Sequence, residues 1–559
     1  MSRIKGPLSG ETKRRLFSIF IICIIGYSFL IYRLVDIQIL KSKDYKKRVE
    51  NQSTEKISLN SGRGIIYDRN NKPLTDSQKK QIVVVSKERL NNDAEVLNMI
   101  KKATNLSELD IYKIFQEQKD FNMIEIETDN ISDNMKEILV SNSIIVEEKT
   151  LRYSEDFLLS HTIGHLKKAD NSGQLGVERA KDDILTNSNE KYVTAFRAGD
   201  LGNKGNLDIL KGSVKTIEQN EEDRHIRLTI DYDIQKKIEN IANKEENPSA
   251  IVISDIKTGE VLSISSRPNF DQNNIAKYLE ESEKDKGSCI NRATNATYPP
   301  ASVFKLVVLL AALEENTIDE SYTYNCTGTI VVGDNNESLK CHKLDGHGVQ
   351  SVESALSNSC NTAFYDIANK VGKDKIFEAA KKLKLNQEVD IGIEEAKGQM
   401  PENIHLRNLA IGQGSLEFTP LQINQMTQII ANNGTYRPLY LYDSIIDNNK
   451  NIVTTFKTSK EEEIISPYNM TKVKEMMKSV SKDGTAKELN DIEGGCGVKT
   501  GTAQSTKKNK PVAHGWITGF YPETNAKYAI TIIIEGTEEK NKSAVPMFKE
   551  VCQALNKNN

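Results

Sequence analysis

Residues 298–313 read YPPASVFKLVVLLAAL, a proline-rich turn that leads directly into an apolar stretch. Leucine and alanine favour helix, and the stretch from Phe304 to Leu313 is apolar apart from one lysine, so we expect a buried helix. Ser302 and Lys305 stand three positions apart and therefore share one helix face. A serine hydroxyl is a weak nucleophile without a base, and desolvation lowers the pKa of a lysine enough for it to serve as one. The stretch therefore predicts a nucleophile and its base at the start of a buried helix.

The S-x-x-K pattern is not specific by itself. Other pairs fit it too, among them Ser53/Lys56, Ser77/Lys80, Ser188/Lys191, Ser254/Lys257, Ser479/Lys482 and Ser505/Lys508. These pairs lie in polar or strand-like surroundings, whereas Ser302 combines a proline turn with a helix that would desolvate its lysine. The alternative interpretation of Ser302 is an ordinary helix N-cap.

Two further motifs follow along the chain. Ser359-Cys360-Asn361 lies within residues 352–371, which predict a helix, a brief interruption and a second helix; a cap in that loop is the alternative. Gly497-Val498-Lys499-Thr500-Gly501-Thr502-Ala503 is strand-like, and a glycine within a strand often marks the close approach of another backbone or a ligand. A cation there can hold a carboxylate. The order S-x-x-K, S-x-N, K-T-G resembles that of penicillin-binding proteins and class A β-lactamases.

The resemblance to the class B penicillin-binding proteins, which are single-pass cell-wall transpeptidases, runs through nearly the whole chain. Arg63-Gly64-Ile65-Ile66-Tyr67-Asp68-Arg69-Asn70 is similar to the family signature after the membrane anchor. Two later segments resemble motifs of the family's pedestal domain, which lies between the membrane anchor and the transpeptidase domain. These segments are His161-Thr162-Ile163-Gly164-His165 and Leu175-Gly176-Val177-Glu178. Other similar segments are Asn291-Arg292-Ala293, Gly412-Gln413-Gly414, Thr419-Pro420-Leu421-Gln422 and Gly515-Trp516-Ile517-Thr518-Gly519-Phe520. Pro300-Ala301 replaces the usual Pro-Gly before the serine, which would alter that turn slightly. No repeat domain is expected after the transpeptidase domain.

The resemblance implies an acyl-transfer mechanism. Ser302 would attack the carbonyl of a D-Ala-D-Ala stem peptide while Lys305 takes its proton. Ser359 would relay a proton to the leaving amine, and Asn361 would bind the acyl amide. An amine of a neighbouring strand would then resolve the ester into a cross-link. β-Lactams would acylate the same serine, and the chemistry would need no cofactor.

The resemblance also implies how the substrate is held. Lys499, Thr500 and Thr502, with Gly501 between them, would hold the terminal carboxylate of the stem peptide. The backbone amides of Ser302 and Thr502 would form the oxyanion hole.

An apolar segment near the N-terminus indicates a membrane anchor. Leu16 to Tyr32 reads LFSIFIICIIGYSFLIY and lies at the short end of the ~17 to 25 residues that span a bilayer. Lys13, Arg14 and Arg15 precede it, so the positive-inside bias predicts a cytoplasmic tail over residues 1–15, an anchor over 16–34 and an extracytoplasmic remainder. The alternative is a cleaved signal peptide, but the segment exceeds the usual ~7 to 15 apolar residues and no small-x-small cleavage site follows.

The rest of the chain predicts two α/β (α+β) domains. Residues 35–225 are charged and weakly periodic and predict an elongated mixed α/β pedestal domain, similar to the dimerisation domain of the family. Residues 226–559 predict the transpeptidase domain, with one central, mainly antiparallel sheet flanked by helices. Its expected strands include Ala250–Ile256, Glu260–Ser265, Gly494–Ala503, His514–Phe520 and Tyr528–Glu535, and its last helix is Val545–Leu555. By analogy with the family, the pedestal would dock a membrane glycan polymerase.

Charge and cysteine content limit the partners. The 75 basic and 78 acidic residues leave a net charge of -3, which gives no reason to expect a nucleic-acid partner. Thiolates and imidazole favour zinc. Such side chains crowd the region between the first two motifs, and a structural zinc site would draw on Cys326, Cys341, His347 and Cys360. The alternatives are a Cys326–Cys341 disulfide, buried free thiols and, for the histidine, an ordinary loop residue.

Two other functional classes compete with a transpeptidase. A β-lactamase or D,D-carboxypeptidase would use water as the acceptor, but no obvious carboxylate stands ready to activate that water, and the pedestal argues against it. A β-lactam sensor or a non-catalytic scaffold would keep the fold alone. The presence of every motif side chain argues against a scaffold, and the lack of a cytoplasmic signalling domain argues against a sensor.

Overall fold

The computed structural model describes residues 10–41, 54–118, 123–168, 170–186, 190–196, 215–218, 224–280, 287–332, 337–456, 460–507, 510–536 and 543–556. Packing divides the chain into two compact units. The first comprises residues 1–60, 79–149 and 191–219, and the second comprises residues 61–78, 150–190 and 220–559.

The N-terminal segment is a long helix, Gly10–Val35, followed by a π-helical turn, Asp36–Leu40. The stretch Arg14–Leu40 has a mean hydropathy of 2.1 over its most apolar window, none of which is buried. It is the one helix among the described residues that has the length and composition of a membrane span. It extends the predicted anchor, residues 16–34, at both ends.

The first unit has a mixed α/β fold, as predicted for the pedestal. An antiparallel sheet has the strand order Thr54–Ser58, Lys191–Phe196, Lys215–Glu218. A second three-stranded sheet has the order Met123–Thr128, Gln78–Ser86, Ile145–Leu151. The helices are Lys87–Asn92, Ala94–Thr104, Glu108–Glu117 and Asp133–Ser141. Successive side chains of the central strand Gln78–Ser86 point to opposite faces of the sheet, and each face is buried in a different core. Val83 and Val85 lie in one hydrophobic cluster, and Ile82 and Val84 lie in another.

The second unit is built on a five-stranded antiparallel sheet, which confirms the predicted α/β architecture. The strand order is Val261–Arg267, Ser249–Asp255, Tyr528–Ile534, Lys510–Tyr521, Gly497–Lys507. Every residue of Tyr528–Ile534 is buried, because helices cover both faces of the sheet at this central strand. Gly497–Lys507 is an edge strand, and it carries the third motif.

Two groups of helices pack on this sheet. Tyr232–Ala242 and Val545–Asn556 contact each other and the sheet, while Lys305–Glu314, Pro420–Ala431 and Pro467–Lys482 form the second group. The remaining helices are Ser160–Ile163, Gly176–Ala180, Asp182–Leu185, Ala276–Glu280, Val352–Ser357, Asn361–Val371, Lys373–Lys382 and Leu406–Ile411. Short 3₁₀ turns are Gln272–Asn274, Ala301–Phe304 and Lys487–Leu489.

Smaller sheets complete the second unit. A four-stranded sheet has the order Ile452–Thr455, Tyr442–Ile446, His225–Leu228, Ile66–Tyr67. The two-stranded pairs are Thr323–Cys326 with Gly348–Ser351, Thr329–Val332 with Glu337–Lys340, and Thr435–Tyr436 with Glu462–Glu463.

The division by packing differs from the continuous pedestal expected over residues 35–225. Residues 61–78 and 150–190 pack in the second unit, where a buried ionic cluster links them. Glu178 accepts hydrogen bonds from Arg63 Nε at 3.1 Å and from Arg152 Nε at 2.7 Å. These side chains are almost fully buried, and a buried charge needs such partners.

Candidate active site

Ser302 lies in the 3₁₀ turn Ala301–Phe304, which runs straight into the buried helix Lys305–Glu314. Ala301 has a left-handed backbone with a φ of 50°. This conformation costs a residue with a Cβ roughly 1 to 2 kcal/mol. The chain therefore keeps the backbone expected of the family's glycine although alanine stands there. Strain of this kind persists where the surroundings hold the backbone in place, and it clusters at functional sites.

Two neighbouring segments hold the turn that carries Ser302. The Ala301 N–H donates to the carbonyl oxygen of Gly412 at 2.7 Å. A Cβ at position 412 would stand 2.1 Å from the carbonyl oxygen of Ala301, so the contact requires glycine. From the sheet, the indole N–H of Trp516 donates to the carbonyl oxygen of Pro299 at 2.9 Å. The nucleophile segment is thus fixed to a loop on one side and to a strand on the other.

Lys305 is completely buried and is bound to the second motif. Its Nζ donates to the carbonyl oxygen of Ser359 at 2.7 Å and to Oδ1 of Asn361 at 2.8 Å, and it lies 3.3 Å from the Ser359 hydroxyl. Burial lowers the pKa of Lys305 to about 7, while the nearby thiols of Cys360 and Cys341 act in the opposite direction. A lysine with this pKa is partly neutral at physiological pH, so it can accept a proton.

Ser302 is half-buried and lines a cavity above this lysine. Within the described part of the chain, the hydrogen bonds of the Lys305 amine go to the second motif and none goes to the Ser302 hydroxyl. Contacts between catalytic groups often tighten only when substrate is bound. The two side chains nevertheless start the same helix, three positions apart, as the spacing predicts.

The second motif occupies a break between two helices, in agreement with the sequence. Val352–Ser357 ends before it, and Asn361–Val371 begins with its last residue. Ser359 is buried and has a left-handed φ of 51°. The Ser359 N–H donates to the carbonyl oxygen of Leu356 at 3.1 Å. This strained turn points the serine hydroxyl at the two buried lysines.

The third motif brings a second buried lysine to the site. Lys499 Nζ donates to the Ser359 hydroxyl at 3.1 Å and to the carbonyl oxygen of Thr500 at 2.9 Å. Burial, and next the charge of Lys305, holds the pKa of Lys499 well below its ordinary value. A Cβ at Gly501 would lie 3.2 Å from the carbonyl oxygen of Pro300 and 3.4 Å from the backbone nitrogen of Ser302, so the strand passes close to the nucleophile segment and leaves little room for a side chain.

A cavity of about 550 Å³ joins the three motifs. The predicted residues that line it are Ser302, Ser359, Asn361, Thr500, Gly501 and Thr502, while Lys305 and Lys499 are buried beneath it. The structure adds lining residues that the sequence did not identify as functional, among them His342, Gln413, Thr485, Gln504 and Ser543. Of these, only Gln413 carried a signal, through the Gly412-Gln413-Gly414 segment. Gln504 lies on the strand Gly497–Lys507 just beyond the third motif, and His342, Thr485 and Ser543 come from loops.

The structure also brings together the predicted metal ligands Cys326, Cys341, His347 and Cys360. Their ligand atoms all lie within 4.8 Å of one another. The Cys341 sulfur is 3.9 Å from the Cys360 sulfur and 3.6 Å from Nδ1 of His347. All three cysteines are free thiols and are buried, so the structure does not form the alternative Cys326–Cys341 disulfide.

Two tight glycine turns shape this cluster. Gly328 and Gly346 both have positive φ, and a Cβ on either would collide with the backbone of the opposite turn, within 1.7 Å of the Leu344 oxygen or 2.0 Å of the Cys326 oxygen. Cys341 follows the strand Glu337–Lys340 and donates its N–H to the Gly328 oxygen at 2.8 Å. The hydrogen bond to Cys360 lowers the pKa of the Cys341 thiol, so this sulfur is the first of the pair to become a thiolate.

Known proteins resemble both parts of this architecture. Residues 249–553 match the family model of the penicillin-binding protein transpeptidase domain, and residues 58–223 match that of the penicillin-binding protein dimerisation domain. Stage V sporulation protein D of Bacillus subtilis (strain 168) is 26% identical over 545 residues, which cover 94% of this chain and 82% of the relative. Peptidoglycan D,D-transpeptidase MrdA of Escherichia coli (strain K12) is 25% identical over 592 residues, which cover 93% of this chain and 91% of MrdA.

Solved structures share the fold. Penicillin-binding protein PBP2 from Helicobacter pylori superposes with a TM-score of 0.66 at 22% identity, covering 90% of this chain and 99% of PBP2. The complex of that protein with MreC gives a TM-score of 0.64 at 23% identity, with the same coverage. The transpeptidase match alone extends over more than half of the chain. The chain therefore belongs to the class B penicillin-binding proteins, and its catalytic domain is that of a serine-type peptidoglycan D,D-transpeptidase.

Proposed function

We propose that this chain cross-links stem peptides through an acyl-enzyme on Ser302. The observation that carries the proposal is the meeting of three motifs at one hydroxyl: Ser359 Oγ lies 3.3 Å from the Lys305 amine and 3.1 Å from the Lys499 amine. Two buried amines beside a relay hydroxyl, under a cavity lined by the nucleophile, suit a reaction in which protons move and a carboxylate is bound.

Acylation would begin with proton transfer from Ser302 to neutral Lys305. The serine oxygen attacks the carbonyl carbon of the penultimate D-Ala and forms a C–O bond. The C–N bond to the terminal D-Ala then breaks, and its nitrogen receives the proton through the Ser359 hydroxyl. The backbone N–H groups of Ser302 and Thr502 would stabilise the oxyanion, a contribution whose loss typically costs about 100- to 1000-fold in rate.

Substrate binding would use the remaining motif residues. The Asn361 amide would bind the acyl amide. Lys499, Thr500 and Thr502 would hold the terminal carboxylate, since cations and hydroxyls donate charge-assisted hydrogen bonds to it. Gly501 would leave room for the backbone of the substrate. A β-lactam, which presents a carboxylate beside a reactive amide, would occupy the same positions and acylate Ser302.

The acceptor distinguishes this function from a hydrolase. An amine acceptor that attacks the ester gives a new amide and releases Ser302, whereas water would give a shortened peptide. The test is to incubate the full-length protein in detergent with a D-Ala-D-Ala donor peptide and an amine acceptor, and to identify the products by mass. We expect a cross-linked product that is absent from Ser302→Ala. A shortened peptide alone would assign a D,D-carboxypeptidase, and no turnover of the donor would assign a scaffold.

The membrane arrangement follows the charge pattern of the N-terminus. We place residues 1–15 in the cytoplasm, 16–34 in the membrane, the pedestal domain over 35–225 and the transpeptidase domain over 226–559 outside. Protease treatment of intact cells should remove the catalytic domain from the membrane fraction. Protection of that domain until the membrane is opened would contradict this orientation.

A membrane glycan polymerase is the proposed partner of the pedestal, because a transpeptidase needs newly made strands as its substrate. The related H. pylori protein has been solved in a complex with MreC, so one protein of this fold binds another protein. Chemical cross-linking in membranes, followed by purification of the tagged full-length chain, should recover a polymerase. Recovery of other proteins without one would contradict the proposal.

Catalysis needs no cofactor, but we propose that Cys326, Cys341, His347 and Cys360 hold a structural Zn²⁺. Four ligands on a tetrahedral zinc with Zn–S distances near 2.3 Å are separated by about 3.8 Å. The Cys341 sulfur lies 3.9 Å from the Cys360 sulfur and 3.6 Å from the His347 nitrogen, and all four ligand atoms lie within 4.8 Å of one another, so one ion could reach all four. The remaining alternative is a cluster of buried free thiols.

Metal analysis of the purified full-length protein tests this proposal. We expect about one zinc per chain in the wild type and much less in Cys341→Ser and His347→Ala. Cys496→Ser provides the matched control, because Cys496 is a buried free thiol outside the cluster. Absence of zinc from the wild type, together with an unchanged melting temperature after zinc is added, would leave the free-thiol alternative.

A further inference from the structure

Thr485 joins the second and third motifs across the active-site cavity, although no sequence motif includes it. It follows the helix Pro467–Lys482 and lines the cavity with an exposed side chain. The Thr485 N–H donates to the carbonyl oxygen of Ser357 at 3.1 Å, two residues before the relay serine. Its hydroxyl lies 2.6 Å from the hydroxyl of Thr500 in the third motif. One residue therefore contacts both walls of the site.

The backbone on either side of Thr485 is held firmly. A Cβ on Gly484 would stand 2.5 Å from Oγ of Ser357 and 2.6 Å from its carbonyl oxygen, so only glycine permits this approach. The Ala486 N–H donates to the carbonyl oxygen of Val480 at 3.1 Å. The Thr485 hydroxyl is thus placed by a rigid segment even though the side chain is exposed to the cavity.

The pairing of two hydroxyls has a chemical consequence. Each hydroxyl has one proton to donate and two lone pairs that accept. When the Thr485 hydroxyl donates a hydrogen bond to the Thr500 oxygen, the Thr500 hydroxyl can donate its own hydrogen bond to a third group. The third group within the cavity would be an acceptor on the ligand, and a carboxylate, which is acceptor-only, fits that position beside the Lys499 amine.

We propose that Thr485 is a positioning residue that turns the Thr500 hydroxyl into a donor for the carboxylate of the ligand. This inference rests on the proposed function, in which the third motif binds the terminal carboxylate. It assigns substrate orientation to a residue outside the three motifs. Thr485 itself need not touch the reacting atoms.

The test compares Thr485→Val with Thr485→Ser in the full-length protein. Acylation rate constants are measured with benzylpenicillin and with its methyl ester, in which the carboxylate is masked. We expect valine to slow acylation by benzylpenicillin about five- to tenfold, the effect of one lost hydrogen bond, and to change the ester rate less than about twofold. Serine keeps the hydroxyl, so its rates should stay near the wild-type values.

A second measurement separates orientation from support of the fold. In a Thr500→Val background the further change Thr485→Val should have little effect, because the hydroxyl it orients is gone. Thr471→Val is the matched control: Thr471 is exposed, lies on the preceding helix and bonds only to the carbonyl oxygen of Pro467 among the described contacts. It should leave both rates unchanged.

The outcomes distinguish the inference from the function on which it rests. If the wild type is acylated at Ser302 but Thr485→Val matches it, the inference fails and the proposed function stands. Equal slowing of both probes, or equal slowing by valine and serine, also overturns it, since either result assigns a purely structural tie. If the wild type is not acylated at all, the proposed function fails first.

Discussion

Lys305 and Lys499 are two completely buried amines that share the Ser359 hydroxyl as a neighbour. Burial is the main cause of the lowered pKa of both, and the charge of Lys305 adds to the effect on Lys499. Two ammonium groups this close, out of water, disfavour each other's charged form. The Lys305 amine can therefore take up and release a proton near neutral pH.

The rate of acylation should rise with pH through about 7, the pKa of Lys305. Only the neutral amine accepts the serine proton, and lysine is neutral above its pKa, so the rate should level off at higher pH. The thiols of Cys360 and Cys341 oppose the lowering of this pKa, and the Lys499 amine also faces the group. Acylation rate constants for a neutral-side-chain penicillin, measured from about pH 6 to pH 9, check this. A rate that falls across that range would contradict a neutral Lys305 base.

The chemistry of single residues was largely predictable, but their conformation was not. Motif order identified Ser302, Ser359 and Lys499 as candidates because each motif is contiguous in sequence. No sequence pattern predicts the left-handed backbone of Ala301 and of Ser359, because residues with a Cβ rarely adopt that conformation. The Thr485–Thr500 contact was also invisible, because nothing in the local sequence relates a loop threonine to a strand threonine.

At the scale of elements, the turn before the nucleophile depends on one glycine. Gly412→Ala would place a Cβ 2.1 Å from the Ala301 oxygen at a φ of 66°. We expect it to destabilise the catalytic unit by more than about 2 kcal/mol and to slow acylation, because the displaced turn carries Ser302. Melting temperature and acylation rate are the measurements.

Gly372→Ala is the matched control for backbone strain. Gly372 also has a positive φ, 85°, but a Cβ there would meet nothing within 4 Å. With a ψ of 154° Gly372 lies in a backbone region that is almost restricted to glycine, so the change should cost about 1 to 3 kcal/mol of stability and leave the acylation rate unchanged. An equal loss of rate in both variants would show that the Gly412 contact has no special role.

Helices and strands were predicted correctly where polar and apolar residues alternate with a clear period. A helix was missed where every residue is buried and no such period exists. The expected strand Tyr528–Glu535 and helix Val545–Leu555 appear as Tyr528–Ile534 and Val545–Asn556. The helix Pro420–Ala431 was missed because all of its residues are buried, so no polar face reveals a helical period. A local signal did exist, namely the capping box formed by Thr419 and Gln422.

At the scale of the whole molecule, two distant family signatures prove to be one buried ionic cluster. Arg63 belongs to the signature after the anchor and Glu178 to the later pedestal motif, and their side chains are 1% and 0% exposed. Arg152 contributes a second guanidinium. The sequence could not reveal this contact, since 115 positions separate Arg63 from Glu178. Packing places both residues in the unit that carries the active site.

Glu178→Gln should destabilise that unit by about 3 kcal/mol, because two buried guanidinium groups lose their common carboxylate. Glu148→Gln is the control: Glu148 pairs with Lys79 on the surface, where both side chains are more than half exposed. That change should leave the melting temperature of the full-length protein equal to that of the wild type within measurement error. Similar melting temperatures for the two variants would show that the cluster is not needed for stability.

Acylation of the full-length protein by benzylpenicillin, followed by intact-mass measurement and peptide mapping, tests most directly whether Ser302 is the nucleophile. We predict one stable adduct per chain, located on the peptide that contains residues 298–305 and lost in Ser302→Ala. An adduct that persists in Ser302→Ala, or that maps to another serine, would contradict the mechanism. Consumption of the drug without a lasting adduct would instead assign a hydrolase.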